Sequence, residues 1–259
     1  TNRLTIGTDC NTDWMIALAT PIEFSDKDSG TDQVANPSYS CIANAQIAAG
    51  TDVVAIKRVG DLPVRSWDSD GNLVAGSVSL TAGTAYFFTN GTVAALYTAG
   101  GGTDTCTTCS VTVPQFSSNI RQYMPEIFFI RPNSSGSDGI PSLVRETLEG
   151  SSMQAQVLVE GVEDMQIEWG VDGTDTDLAP DYYTNNPDGA QLSRAVTARI
   201  FLLMRSVNPV TGYVNDKSYN LGSKVVAAKN DAFYRRVYAT TVQLRNSEIL
   251  QMSSAGCRQ

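Results

Sequence analysis

The chain has 259 residues, 42% hydrophobic and 17% charged, with a net charge of −9, enough for one or two domains with a sizeable core. Histidine is absent, which removes serine–histidine–aspartate and cysteine–histidine nucleophiles, histidine-ligated zinc and a histidine pH switch together. The acidic balance argues against a general nucleic-acid binder, and the longest apolar run, Trp14 to Ala19, has six residues, whereas a membrane span needs about 20.

Strand signals dominate from the first third onward. Asp52 to Val59 is β-branched and bounded by Gly50 and Gly60. Leu62 to Trp67 and Leu73 to Leu80 flank Asp70-Gly71 and read as a hairpin. Thr84 to Thr89 and Thr92 to Tyr97 flank Asn90-Gly91 and read as a second. Residues 99–110 form a Gly/Thr/Cys loop, Glu126 to Arg131 a strand, Asn133 to Gly139 a turn and Ser142 to Glu146 a short strand. Within Val157 to Trp169, apolar residues at 158, 162 and 165 suit a short helical turn, and those at 165, 167 and 169 suit a strand. An acidic Asn/Pro/Gly-rich loop spans 172–190. Ala195 to Arg205 alternates, with Val196, Ala198, Ile200, Leu202 and Met204 on one face, and Phe233 to Arg245 alternates too. Both read as long antiparallel strands, and no helix of four turns is visible.

Five cysteines occur at 10, 41, 106, 109 and 257. One C-x-x-C cannot supply four zinc ligands, and its setting between Gly100 and Ser110 reads as loop. Local disulfides Cys10–Cys41 and Cys106–Cys109 are expected, although five cysteines allow many connectivities. Such bonds imply an oxidising compartment. Ser and Thr number 49, as is common in secreted β-rich proteins. The 259 residues start at Thr1 rather than Met and contain no signal-peptide pattern, which reads as a processed chain or one trimmed of an export or anchor segment.

The sequence has no G-x-G-x-x-G, P-loop or G-x-S-x-G, and carboxylate pairs such as Glu160 and Glu163 read as solvated surface. No enzyme is expected, and no cofactor is required. Asp172, Asp175 and Asp177 cluster oxygen ligands in the manner of a calcium loop. They lack the closing Glu of an EF-hand, so a structural calcium and a solvated acidic loop are both open. Charge is asymmetric: residues 1–190 carry 8 basic and 24 acidic side chains, net −16, and residues 191–259 carry 10 and 3, net +7. Mutual neutralisation of the two parts is expected, ahead of two separate partners.

The segment Gln156-Val-Leu-Val-Glu-Gly-Val-Glu-Asp-Met-Gln-Ile-Glu-Trp-Gly-Val-Asp172 resembles the signature of PilW-type minor pilins of bacterial type IV pili. The aspartate-rich loop from Gly173 to Asp181, the strand Ala195 to Ser206 and the ending Tyr234 to Asn246 resemble the segments C-terminal to that signature in the family. Gly139 to Arg145 and Thr51 to Ile56 also fit. The resemblance implies a mainly β, α+β fold: a pilin-like antiparallel sheet on which a long N-terminal helix packs, that helix being absent from these 259 residues. Residues 51–246 would be the pilin-like domain, 1–50 an extra N-terminal extension or insertion, and 247–259 a tail. It further implies a structural minor pilin, part of a complex that primes pilus assembly and sits at the pilus tip. The partners would be other minor pilins, the major pilin and the inner membrane through the helix, without nucleic acid. Localisation would be the periplasmic side of the inner membrane and the pilus tip at the cell surface, and the isolated domain would be monomeric. The alternatives are a J-type pseudopilin of type II secretion, and a secreted β-sandwich adhesin or enzyme domain with a groove lined by Trp14, Trp67 or Tyr182-Tyr183.

Overall fold

The computed structural model describes residues 10, 20–26, 41–61, 65–67, 80–89, 94–98, 118–150, 152–173 and 177–244. Its strands are β1 (Ile22–Ser25), β2 (Val53–Val59), β3 (Arg65–Trp67), β4 (Ala85–Thr89), β5 (Ala94–Thr98), β6 (Ser118–Arg131), β7 (Ser142–Glu149), β8 (Ser152–Glu160), β9 (Val162–Val171), β10 (Tyr182–Thr184), β11 (Ala195–Arg205), β12 (Tyr219–Leu221), β13 (Lys224–Val226) and β14 (Arg235–Gln243). The one α-helix among the described residues, α1 (Gly189–Ser193), is short and closed by an Asp188–Gln191 capping box. The protein is thus mostly antiparallel β-sheet.

Strand β6 organises the first sheet. Its second half pairs with β2 on one side and β7 on the other, with β1 outside β2 and β8 outside β7. Its first half pairs with β3 and β4, and β4 pairs with β5 as the Asn90-Gly91 signal predicts. The second sheet runs β10-β9-β11-β14, entirely antiparallel. The β12–β13 hairpin stands apart.

The helical turn expected near residue 158 is a correction. Ser152 to Glu160 is a strand, and the chain passes from one sheet to the other at Gly161. Gly161 has φ 83°, and a Cβ there would lie 2.6 Å from the Arg205 carbonyl oxygen. Only glycine avoids both the left-handed strain and the clash. Its N–H donates to Pro141 O in the first sheet, and its carbonyl accepts from Arg205 N in the second, both at 2.7 Å. The apolar residues at 158 and 162 therefore belong to two strands rather than to one helical face.

Each sheet has one covered face. In the first, Val53, Ala55, Ile127, Phe129 and Val144 pack under Cys10, Ile42 and Ile47. Cys10 and Cys41 are joined by a disulfide. Cys106, Cys109 and Cys257 lie outside the described residues. In the second sheet, Leu203 is fully buried beneath Leu221 and Val226 of the β12–β13 hairpin.

Candidate functional site

Alternation along a strand sends neighbouring side chains to opposite faces, so covering one face of each sheet leaves the other to be accounted for. In the first sheet the register aligns Phe24, Val54 and Phe128 in one row, and Ile130, Leu143 and Val159 in another. In the second it aligns Tyr238, Leu202 and Met165, then Thr240, Ile200 and Ile167, then Val242, Ala198 and Trp169. Apart from Val159, Tyr238, Thr240 and Val242, the residues of these rows belong to a single apolar cluster. Val54, Ile130, Met165, Ile167, Trp169 and Ala198 are buried, whereas Phe24, Ile56, Phe128, Leu143, Ile200, Leu202 and Met204 are only half-buried. Val159, Tyr238 and Val242 at its margins are exposed. Phe24 meets Trp169 edge-to-face, ring centroids 5.4 Å apart, and so joins the two halves.

The two sheets are held to one another by a polar seam beside this face. Asp52, 1% exposed, donates its N–H to Met165 O at 2.9 Å, and its carboxylate accepts from Ile167 N at 2.7 Å. Gln166 Nε2 donates to Gly50 O and to Asp164 Oδ1. A fixed relation between the sheets turns two half-covered faces into one preformed apolar surface. Seven large apolar side chains of this face, Phe24, Ile56, Phe128, Leu143, Ile200, Leu202 and Met204, remain partly accessible, which makes it the candidate interaction surface.

The opposite side of β9 carries the charge. Glu163 pairs with Arg235, Asp164 with Lys224 at 2.7 Å, Glu168 with Arg199 at 4.0 Å and Asp172 with Arg194 at 3.9 Å. Every acid here comes from the net-negative first 190 residues and every base from the net-positive remainder. Arg199 also lies over the Tyr183 ring at 3.4 Å, and Arg205 over the Phe233 ring at 4.1 Å. The arginines of β11 thus sit among carboxylates and aromatic rings of the same molecule.

Asp172 is fully buried. Its Oδ2 accepts from Leu178 N at 3.2 Å, and its Oδ1 has no hydrogen-bond donor, only the Arg194 guanidinium nearby. Asp177 accepts from Ala179 N at 2.8 Å. Asp175 lies outside the described residues, so the three aspartates are not seen together. Among the described residues no group of three acidic or cysteine side chains converges. Trp14 is likewise outside them. Tyr182 is 41% exposed, and Tyr183 lies beneath Arg199 with its hydroxyl 3.1 Å from Thr197 Oγ1, so the two tyrosines do not form one lining. Sequence reasoning missed the apolar face as a site; the signal was present in the apolar alternation of β11, but not in which face stays open.

A family model described as Type IV Pilus-assembly protein W matches residues 127–246, somewhat under half of the chain. The match runs from the second half of β6 past the end of β14. Among solved structures, the chain is similar to the type IV-like pilin TTHA1219 from Thermus thermophilus, with 15% identity and a TM-score of 0.31. That alignment covers 48% of this chain and 66% of the pilin, a little under two thirds of its length. No curated protein sequence matches significantly. Through the family match the chain is pilin-related.

Proposed function

We propose that this protein is a structural minor pilin of the PilW type, an exported subunit that joins other minor pilins to prime type IV pilus assembly and sits at the pilus tip. The observation that carries this reading is the half-buried apolar face across β6, β7, β9 and β11, which lies largely on strands inside the family-matched region. A preformed sheet face of this kind fits an apolar helix, because a helix offers a straight stripe of side chains without unpaired backbone groups. Each half-buried Leu, Ile or Phe covered by such a helix adds about 1 kcal/mol. The function asked of the surface is association, which requires no reacting group.

The test is made in cells that assemble type IV pili. Deletion of the gene is expected to abolish or sharply reduce piliation, and the wild-type protein is expected to co-purify with other minor pilins. Leu202→Glu, on the open face, is expected to keep the far-ultraviolet circular dichroism of the wild type and to fail in both assays. Normal piliation after deletion removes the priming role. Full activity of Leu202→Glu removes the apolar face as the surface that serves it.

A further inference from the structure

Strand β14 ends the second sheet, and among the described residues no strand pairs its outer edge. The hydrogen-bond phase of that edge can be read from its two ends. Leu244 N donates to Val196 O, and Ser206 N donates to Tyr234 O, each at 2.8 Å. The β11–β14 register is unbroken between them, from Thr197↔Gln243 to Arg205↔Arg235. Even-numbered residues of β14 therefore bond inward to β11. The N–H and C=O groups of Val237, Ala239, Thr241 and Gln243 point outward.

Long, unpaired edges are normally blunted by shortness, bulges, proline or charge. The other edges use such devices: β1, β5 and β10 have four, five and three residues, and β8 carries a register shift opposite Leu143 and Val144. Strand β14 uses none of them between Val237 and Gln243. That stretch has no charge and no proline, five of its seven residues are β-branched or aromatic, and Tyr238 to Gln243 are all exposed.

We infer that the outer edge of β14 pairs with the same edge of a second copy of this chain, antiparallel about a two-fold axis at Ala239. In that register Ala239 faces Ala239 of the other copy, Val237 faces Thr241, and Arg236 faces Val242. All outward-bonding positions meet outward-bonding positions. The charge distribution selects this orientation: Arg235 and Arg236 lie at one end only, so antiparallel pairing carries the two arginine pairs to opposite ends, whereas parallel pairing stacks them. The pairing uses up the edge on both copies, so it closes at a dimer. It departs from the monomer expected on sequence grounds, which rested on the lack of helical interfaces. It is independent of the pilin reading.

Light scattering on the full 259-residue chain is expected to show the mass doubling as concentration rises. Residue-resolved amide exchange adds a signature that a dimer through any other surface does not give. The Val237, Ala239, Thr241 and Gln243 amides gain protection with concentration, while the Tyr238, Thr240 and Val242 amides are protected throughout. Ala239→Lys sets two like charges at the two-fold axis from an exposed position. It is expected to return the protein to monomer with unchanged circular dichroism, and Thr241→Pro, which removes an outward N–H only, is expected to do the same. A monomer at every concentration overturns the inference. So does a dimer whose outward amides exchange freely, or outward amides protected in the monomer, which would mean that the chain covers its own edge.

Discussion

Arg235, its side chain 1% exposed, forks onto Glu163, with Nε to Oε2 at 2.5 Å and Nη2 to Oε1 at 3.1 Å. The bond ties the start of β14 to the start of β9, neighbours of the same central strand but 72 residues apart. The same guanidinium holds Asp231 through two further bonds at 2.5 and 2.7 Å. That contact holds the Asp231 carboxyl down at about 2, and the two carboxylates together raise Arg235 above its already high value.

Arg235→Met is expected to destabilise the fold by about 2–4 kcal/mol, because two carboxylates lose a buried, bidentate partner. Urea unfolding followed by circular dichroism reads this directly. The contribution from Asp231 tracks its depressed value: it is present above about 4 and fades as pH falls toward 2. A variant as stable as the wild type would show that the fork contributes nothing.

Glu146 lies on the covered face of the first sheet, 6% exposed. Burial pushes its carboxyl up to about 7, against the opposing charge of Arg131. The raised value means that the folded state keeps the proton longer than the unfolded chain does. Its effect on stability is therefore flat below about 4.5, falls between about 4.5 and 7, and is flat again above. Glu146→Gln is expected to remove that fall and to melt above the wild type at pH 8. Melting curves across pH 4 to 8 that run parallel for the two proteins would refute this.

Reduction of Cys10–Cys41 opens a link of sequence separation 31 between two cysteines that both pack in the cluster of Val53, Ile127 and Phe129. On chain-entropy grounds the loss is about 3–4 kcal/mol. The double replacement Cys10→Ser with Cys41→Ser is expected to lower the melting temperature in oxidising buffer. Addition of a reductant should then change the variant little. Mass mapping of exported protein should find the two residues linked.

Arg199→Glu places a carboxylate beside Glu168 and removes the cation from the Tyr183 ring. A loss of about 1–2 kcal/mol is expected, seen as a drop of a few degrees in melting temperature. Unchanged stability together with loss of salt-sensitive DNA binding would assign the residue to a nucleic-acid surface instead.

Much of the β-structure was legible because strands and turns are local. Asp52 to Val59, the Asn90-Gly91 hairpin, Ala195 to Arg205 and the closing strand each carry alternation and turn residues within a few positions. The segment Gln156 to Asp172 carried the family resemblance in its residue order alone. What local order could not decide was which side of each strand stays open. On β11, Ile200 and Leu203 are equally apolar, yet Leu203 is fully buried and Ile200 only half-buried. The difference is made by Leu221 and Val226, which arrive from the β12–β13 hairpin to cover one face, as the segment after Cys41 covers one face of the first sheet. The sites of the charges obeyed the same logic. The asymmetry between the two parts of the chain was readable as arithmetic, but the pairing of Glu163, Asp164, Glu168 and Asp172 with four bases required β9 to lie beside β11 and beneath the hairpin. Burial is a property of what packs across a surface, and residues far apart in the chain decide it.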